Sequence, residues 1–302
     1  MPHKPVLLTE LVESLRLESG MTVLDGTVGG GGHAAEILNK IGPQGRYIGL
    51  DQDPQALERC RARFGNIPNM MLYHENFRNA AMILDSLNLS HVDAVILDIG
   101  FSSDQLEDAS RGFSFEREGP LDMRMNPAGR LTARHLVNDL SQQDLEHIFR
   151  AYGEERRSRQ FAAAICEARR IKPIETTAQL VDVLLNVLPA AFRAPKGRRP
   201  EFARRNPTTR VFQALRIAVN DELKALEEGL PPLVQRVRCG GRMGVITFHS
   251  LEDRIVKNYF RDLERQQIAK RVNKKTIAPS REEILDNSRA RSAKLRIIEK
   301  AA

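Results

Sequence analysis

The sequence predicts an α/β protein: a mainly parallel sheet covered by helices on both faces and interrupted by an all-helical insertion. Three observations carry this expectation. Short apolar runs alternate with helical periodicity through the first hundred residues, the pattern of strands joined by crossover helices. Residues 120–206 then hold helical periodicity and no good strand. Beyond them the strand pattern resumes at 244–248 and 295–298.

Taken in order, residues 7–16 predict a short amphipathic helix. Residues 21–25 are an apolar run that ends on Asp25 and meets a glycine turn, the signature of a buried strand feeding a tight loop. A helix over 34–41 closes at Gly42-Pro43. The second strand, 47–51, again ends on an acid, Asp51. Asp53-Pro54 opens the next helix, with Asp as the cap and Pro in the first turn. A third strand over 70–74, a helix over 78–87 and a fourth strand over 92–97 follow, the last meeting Asp98. Within the insertion the clearest helices are 143–152, 159–170 and 177–188, and a long helix is predicted over 210–228.

With 302 residues the chain holds one or two domains. Hydrophobic residues at 41% and charged residues at 28% suit a soluble globular protein. The net charge of +7 is modest and informs only where it clusters. Cys60, Cys166 and Cys239 form no CxxC pair, so neither a disulfide framework nor a metal site is expected. No apolar run approaches the roughly 20 residues of a membrane span, and the opening residues lack an apolar signal core. The expectation is a cytoplasmic protein with no membrane partner; oligomeric state is not legible.

The loop Asp25-Gly-Thr-Val-Gly-Gly-Gly-Gly-His33 joins the first strand to the first crossover helix. Glycines let a backbone approach a ligand closely and adopt positive φ. Asp51 stands 22 residues beyond Gly29, where an acid at a strand tip accepts ribose hydroxyls. This arrangement admits a dinucleotide or S-adenosylmethionine. An acid at Asp25 suits the cationic groups of the methyl donor and would repel a pyrophosphate. Asp25, Asp51 and Asp98 are all expected to face the crevice at the carboxyl ends of the strands, although any one of them also suits a plain turn cap.

Later segments are more distinctive. They are Asp98-Ile-Gly-Phe-Ser-Ser-Asp-Gln105, Arg111-Gly-Phe-Ser-Phe115, Gly119-Pro-Leu-Asp-Met-Arg-Met125, Tyr152-Gly-Glu-Glu-Arg156, Arg210-Val-Phe-Gln-Ala-Leu-Arg-Ile217 and Phe248-His-Ser-Leu-Glu-Asp-Arg254. With the glycine loop they resemble the MraW family, bacterial methyltransferases acting on the N4 of a cytidine in small-subunit (16S) ribosomal RNA. The resemblance implies a Rossmann-like S-adenosylmethionine-dependent methyltransferase fold with an inserted all-helical domain. Residues 1–119 and 207–302 would form the methyltransferase domain, and 120–206 an RNA-recognition insertion. It further implies donor contacts for Gly31, Gly32, His33, Asp51, Phe77, Asp98 and Gln105. Phe77 is equally readable as an ordinary core residue. Asp104 departs from the family, which usually has Pro before Gln105.

For N4 transfer an acceptor must take the amine proton. Asp98 is the first candidate and His249 the next, with Asp122, Asn126, Glu252 and Asp253 behind them. A capping pattern, Ser250 with Asp253, competes for the role of the His249 segment. The basic run Arg193, Lys196, Arg198, Arg199, Arg204, Arg205 and Arg210 faces one acid, Glu201, and suits RNA phosphates; in isolation it reads as a solvated loop. Residues 267–275 and 289–296 add positive charge. Phe113 and Phe115 are candidates for stacking on an extruded base, with core packing the alternative. The competing functions are the same fold acting on another nucleic acid or a small molecule, and a non-catalytic RNA-binding relative.

Overall fold

The computed structural model describes residues 5–188 and 207–301. The chain divides into two compact units, one of Met1–Gly100 with Leu223–Ala302, the other Phe101–Glu222. The helical unit is thus wider at both ends than the 120–206 expected. Phe113, Val211, Phe212 and Leu215 belong to its core, with Phe101 packed against it, so apolar packing rather than strand pattern sets the division.

The sheet unit holds seven strands: β1 (Thr22–Asp25), β2 (Arg46–Asp51), β3 (Met70–His74), β4 (Val92–Asp98), β5 (Val237–Thr247), β6 (Ala269–Arg271) and β7 (Lys294–Lys300). Their order is β3-β2-β1-β4-β5-β7-β6. Neighbours from β3 to β5 pair in parallel, while β7 is antiparallel to both β5 and β6. This is a Rossmann-like sheet. The order reverses between β1 and β4, the kind of position at which open α/β sheets bind ligands outside the carboxyl ends of their strands.

Strand alternation explains the layers. In β4, Val95 and Leu97 join one core and Ala94 and Ile96 the other. The first core is closed by α4 (Ala80–Ser86), α11 (Glu222–Arg236) and α12 (Ser250–Arg265), and the second by α1 (Leu8–Ser14), α2 (Gly32–Ile41) and α3 (Pro54–Phe64). Each fully buried Leu or Ile removes enough apolar surface from water to contribute about 1.5–3 kcal/mol. As expected, α3 starts with Asp53, whose side chain accepts from Gln55 N, and with Pro54 in the first turn.

The helical unit contains α5 (Ser103–Glu107), α6 (Ala133–Asp139), α7 (Gln142–Gly153), α8 (Ser158–Ile171), α9 (Thr177–Val187) and α10 (Pro207–Asn220). The single helix expected over 210–228 is two, α10 and α11, because Asp221 between them has φ +51, a left-handed value that ends an α-helix. A Cβ on Gly153 would lie 2.6 Å from Arg210 O, so the glycine in Tyr152-Gly-Glu-Glu is what lets α7 and α10 approach. Gly119 is tighter still, 1.8 Å from Ala109 O.

Two strands differ from expectation. β5 begins seven residues before the apolar run that marked it, with a register shift opposite Val92 and Ala94. The polar stretch Arg238, Cys239, Gly240 and Gly241 hid its first half. β6 is only three residues long and charged, as suits a sheet edge. A short helix, α13 (Arg281–Asp286), separates it from β7. Among the described residues no helix is long and apolar enough to cross a membrane.

Candidate functional site

Asp25, Gly31, Gly32, His33, Asp51 and Asp98, all singled out from sequence, gather at the carboxyl ends of β1, β2 and β4. The glycine loop leaves β1 and is laced to the neighbouring strands: Gly26 N donates to Ile96 O, and Val28 N to Leu50 O. Gly31 N closes a turn onto Val28 O. Gly29 and Gly31 have φ +53 and +76, the left-handed region that favours glycine. A Cβ on Gly31 would sit 2.4 Å from the Phe64 ring, and one on Gly32 3.0 Å from Pro5. The loop is therefore packed against its surroundings from Gly31 onward, while a Cβ on Gly30 would meet nothing within 4 Å.

Asp51 ends β2 and holds this loop. Its Oδ2 accepts from Gly29 N and its Oδ1 from Asp53 N, both at 2.8 Å. Each oxygen keeps a second lone pair for a ligand hydroxyl. Burial pushes its carboxyl up to about 6, opposed by the two backbone N–H groups.

Asp25 corrects the expectation that three acids face the crevice. It is 1% exposed, and both its oxygens are taken internally, Oδ2 by Tyr47 OH at 2.6 Å and Oδ1 by Thr27 N at 3.0 Å. Burial holds its carboxyl above the ordinary range, and burial with the nearby Asp25 raises Tyr47 well above its own. Asp25 orders the turn from beneath rather than offering a free oxygen to a ligand.

Asp98 is the least satisfied of the three. Its Oδ1 is buried and has no hydrogen-bond partner among the described residues. Its Oδ2 lies 3.8 Å from His33 Nδ1, and its backbone N donates to Thr27 Oγ1 at 2.6 Å. Burial pushes its carboxyl up to about 6; the nearby His33 acts against this, and Asp25 and Glu252 add to it. A buried acceptor without a partner costs about 1–3 kcal/mol, so this oxygen marks where a donor group on a ligand would be stabilised. His33, 6% exposed, is anchored through Nε2 to Val6 O at 3.0 Å.

The other candidate residues have partners of their own. Phe77 is 8% exposed; its ring lies beneath Gly229 and its Cβ beneath Gly26, where added Cβ atoms would stand 2.9 and 2.8 Å away. Gln105 belongs to the helical unit, where its Oε1 accepts from Ser102 N at 2.8 Å in the capping box of α5. His249 caps α12 through Nδ1, with Glu252 closing the box. This displaces the expected Ser250 cap by one residue, because the helix already begins at Ser250. Glu252 also accepts from Phe248 N at 2.8 Å, and Asp253 is held by Arg296 and Lys294. Asp122 is paired to Arg124, which holds its carboxyl below the ordinary range. Asn126 spends its Oδ1 on Ala128 N.

The aromatic candidates are structural. Phe113 stacks on Phe101, ring centroids 5.7 Å apart, and Phe115 meets Phe212 edge to face. Arg216 lies over Phe101 at 4.6 Å and forms a two-point pair with Glu222, both bonds 2.8 Å. Asn220 accepts from Met125 N and donates to Met123 O, and Arg111 donates to Arg124 O and Met125 O. The distinctive motifs of this unit thus interlock with one another. Of the basic run, 193–206 lies outside the described residues; Arg210 donates to Glu154 O.

The donor set fits a cationic ligand. A glycine loop in close approach, a second lone pair on each Asp51 oxygen and an unpartnered Asp98 oxygen present negative charge and backbone polarity, suited to a sulfonium and hydroxyl-bearing ligand and ill suited to a pyrophosphate.

This Rossmann-like unit, with a glycine loop and acids at three strand tips, defines a class of nucleotide-cofactor site. The chain belongs to the MraW methylase family, which it matches over residues 1–301. It is 45% identical over 317 residues to ribosomal RNA small subunit methyltransferase H of Heliobacterium modesticaldum, covering 99% of this chain and 98% of that protein. The protein of the same name from Symbiobacterium thermophilum is 45% identical over 316 residues, covering 99% and 96%. Solved structures with likeness include an rRNA methylase from Streptococcus thermophilus, at 13% identity and a TM-score of 0.44, covering 100% and 99% of the two chains. Another is Aeropyrum pernix fibrillarin with bound S-adenosyl-L-methionine, at 11% identity and a TM-score of 0.41, covering 97% and 73%.

Proposed function

We propose that this methylase transfers the methyl group of S-adenosyl-L-methionine to the exocyclic N4 of a cytidine in small-subunit ribosomal RNA. The ribosomal substrate is supported by whole-length likeness to relatives that carry that name. The N4 position is supported by one observation above the others: the buried, unpartnered Oδ1 of Asp98 beside the glycine loop.

The chemistry follows from the amine. The N4 lone pair is delocalised into the ring and is a poor nucleophile. An acceptor on its N–H localises the pair and then takes the proton, typically a gain of about 10²–10⁴. Asp98, with its carboxyl near the operating range, suits that role. Holding amine, methyl and sulfur in line supplies much of the rest. In this reading Gly31, Gly32, His33, Asp51 and Asp98 hold the donor, with the Phe77 ring as a further contact. His249 serves the cap of α12 and is second to Asp98.

Methylation at ring carbon 5 by a cysteine nucleophile is disfavoured. Cys60 lies under the loop, and burial pushes its thiol up to about 12, far from a reactive thiolate. RNA phosphates suit the basic run through 193–210, with affinity that falls steeply with salt.

The test is incubation of the purified protein with labelled S-adenosylmethionine and either 16S RNA or assembled small subunits, followed by nucleoside mass spectrometry. N4-methylcytidine is expected. Label confined to another position, or transfer to duplex DNA in its place, would overturn the assignment.

A further inference from the structure

We propose that His33 is a relay for the reaction proton, taking from Asp98 the hydrogen that leaves the substrate amine. This rests on the methyl-transfer reading above. The ring is fixed in one sense: its Nε2 lies 3.0 Å from Val6 O, and a carbonyl only accepts, so Nε2 carries a hydrogen. Nδ1 of the neutral ring is then a bare lone pair. It faces Asp98 Oδ2 at 3.8 Å, acceptor against acceptor, an arrangement that becomes favourable once a proton lies between them. The imidazole is 6% exposed, so bulk water does not take that place freely.

The other charged groups around the pair are Asp25 on β1 and Glu252 on α12, which both act on Asp98. Tyr47 on β2 is spent on Asp25. Among the described residues, His33 is a basic side chain that acts on both Asp98 and Asp25.

The N4 lone pair forms the bond to the methyl carbon while the carbon–sulfur bond breaks and its electron pair leaves on sulfur. The cationic N4 gives one proton to Asp98 Oδ1. Rotation of the carboxyl brings that proton to His33 Nδ1, which must close from 3.8 Å to roughly 2.7–3.2 Å, a tightening common between empty and loaded sites. An imidazolium–carboxylate pair remains, and water takes the proton as products leave. His33 does not touch the amine; it acts through Asp98.

The test uses the full chain without ligand, labelled with 15N in histidine and 13C in aspartate carboxyls, in wild type and His33→Gln. The glutamine amide nitrogen reaches where Nε2 does, so the bond to Val6 O is retained and only Nδ1 is lost. The Asp98 carboxyl, titrating at about 6 in wild type, is expected to move to higher pH in His33→Gln. The acid limb of kcat, read at saturating donor, should move with it, giving about tenfold loss near pH 6 and little loss near pH 9. An unmoved Asp98 midpoint overturns the relay, as does a raised donor KM with an unchanged kcat–pH profile. Should circular dichroism show that His33→Gln does not fold, the 15N signals of His33 in Asp98→Asn decide: loss of the titration step shared with Asp98 supports the relay, and its persistence overturns it. Wild-type enzyme that makes no N4-methylcytidine sinks the underlying reading. N4-methylcytidine with an unmoved profile in His33→Gln sinks the relay alone.

Discussion

Replacing Asp98 by asparagine should make the ligand-free protein more stable while disabling it. Burial pushes the carboxyl up to about 6 in the folded chain, against an ordinary value of 3.8. Ionising it at pH 8 therefore costs the folded state about 3 kcal/mol at most. Its side chain is 20% exposed, and an amide has its own hydrogen-bonding needs, so the recoverable part is about 1–3 kcal/mol. Asparagine also places an N–H where His33 Nδ1 offers a lone pair. The folded pKa is the higher one, so the stabilising contribution of the carboxyl is fully present below about pH 3.8 and is lost as pH rises through about 6. The advantage of Asp98→Asn should accordingly be largest above about pH 7 and vanish towards about pH 4. Urea denaturation of the ligand-free protein at a series of pH values measures this, with midpoints compared at constant slope. Methyl transfer should fall by about 10²–10⁴. A variant no more stable than wild type at pH 8, or a difference that does not change with pH, refutes the claim that Asp98 is a buried carboxylate held for chemistry.

Asp51→Ala removes the acceptor of Gly29 N and Asp53 N. Calorimetry should show donor affinity weakened by about 10–100-fold, and a change under twofold would count against Asp51 as a ligand. Gly119→Ala drives a Cβ to 1.8 Å from Ala109 O; backbone cannot swing aside, so a loss of about 3 kcal/mol or more is expected, visible as lost hydrogen-exchange protection in the helical unit. Arg216→Ala removes the two-point partner of the buried Glu222, an expected loss of about 3–5 kcal/mol, and the double change Arg216→Met with Glu222→Leu should recover most of it. His249→Ala removes the cap of α12 for about 0.5–2 kcal/mol; methyl transfer within tenfold of wild type fits capping, whereas a hundredfold loss returns His249 to the chemistry.

The sequence motifs divide into two kinds once their contacts are known. The loop and the acids at strand tips were readable because the chemistry is local: a glycine run, a strand end and a fixed spacing to Asp51 all lie within a few tens of residues. The segments that carried the family resemblance were conspicuous for another reason. Gly112 and Gly119 sit where a Cβ would strike backbone at 2.0 and 1.8 Å, and Arg111, Asn220 and Arg216 bond across the helical unit. Their distinctiveness reflects packing as much as catalysis. Phe113 and Phe115 show the difference, since nothing in their sequence context distinguishes a base-stacking ring from one that meets Phe101 or Phe212.

By itself the sequence determined the alternation of strands and crossover helices, the glycine loop and the acids that end β1, β2 and β4, because period and turn chemistry are short-range properties. Tertiary structure decided what each acid does. Asp25, Asp51 and Asp98 look alike in sequence, yet Tyr47 and Thr27 consume the first, the loop amides engage the second, and the third keeps a buried oxygen without a partner. Those partners come from different strands and loops, and a carboxylate's role is set by which donors surround it and how far water is excluded. The order in which strands lie side by side supplies both.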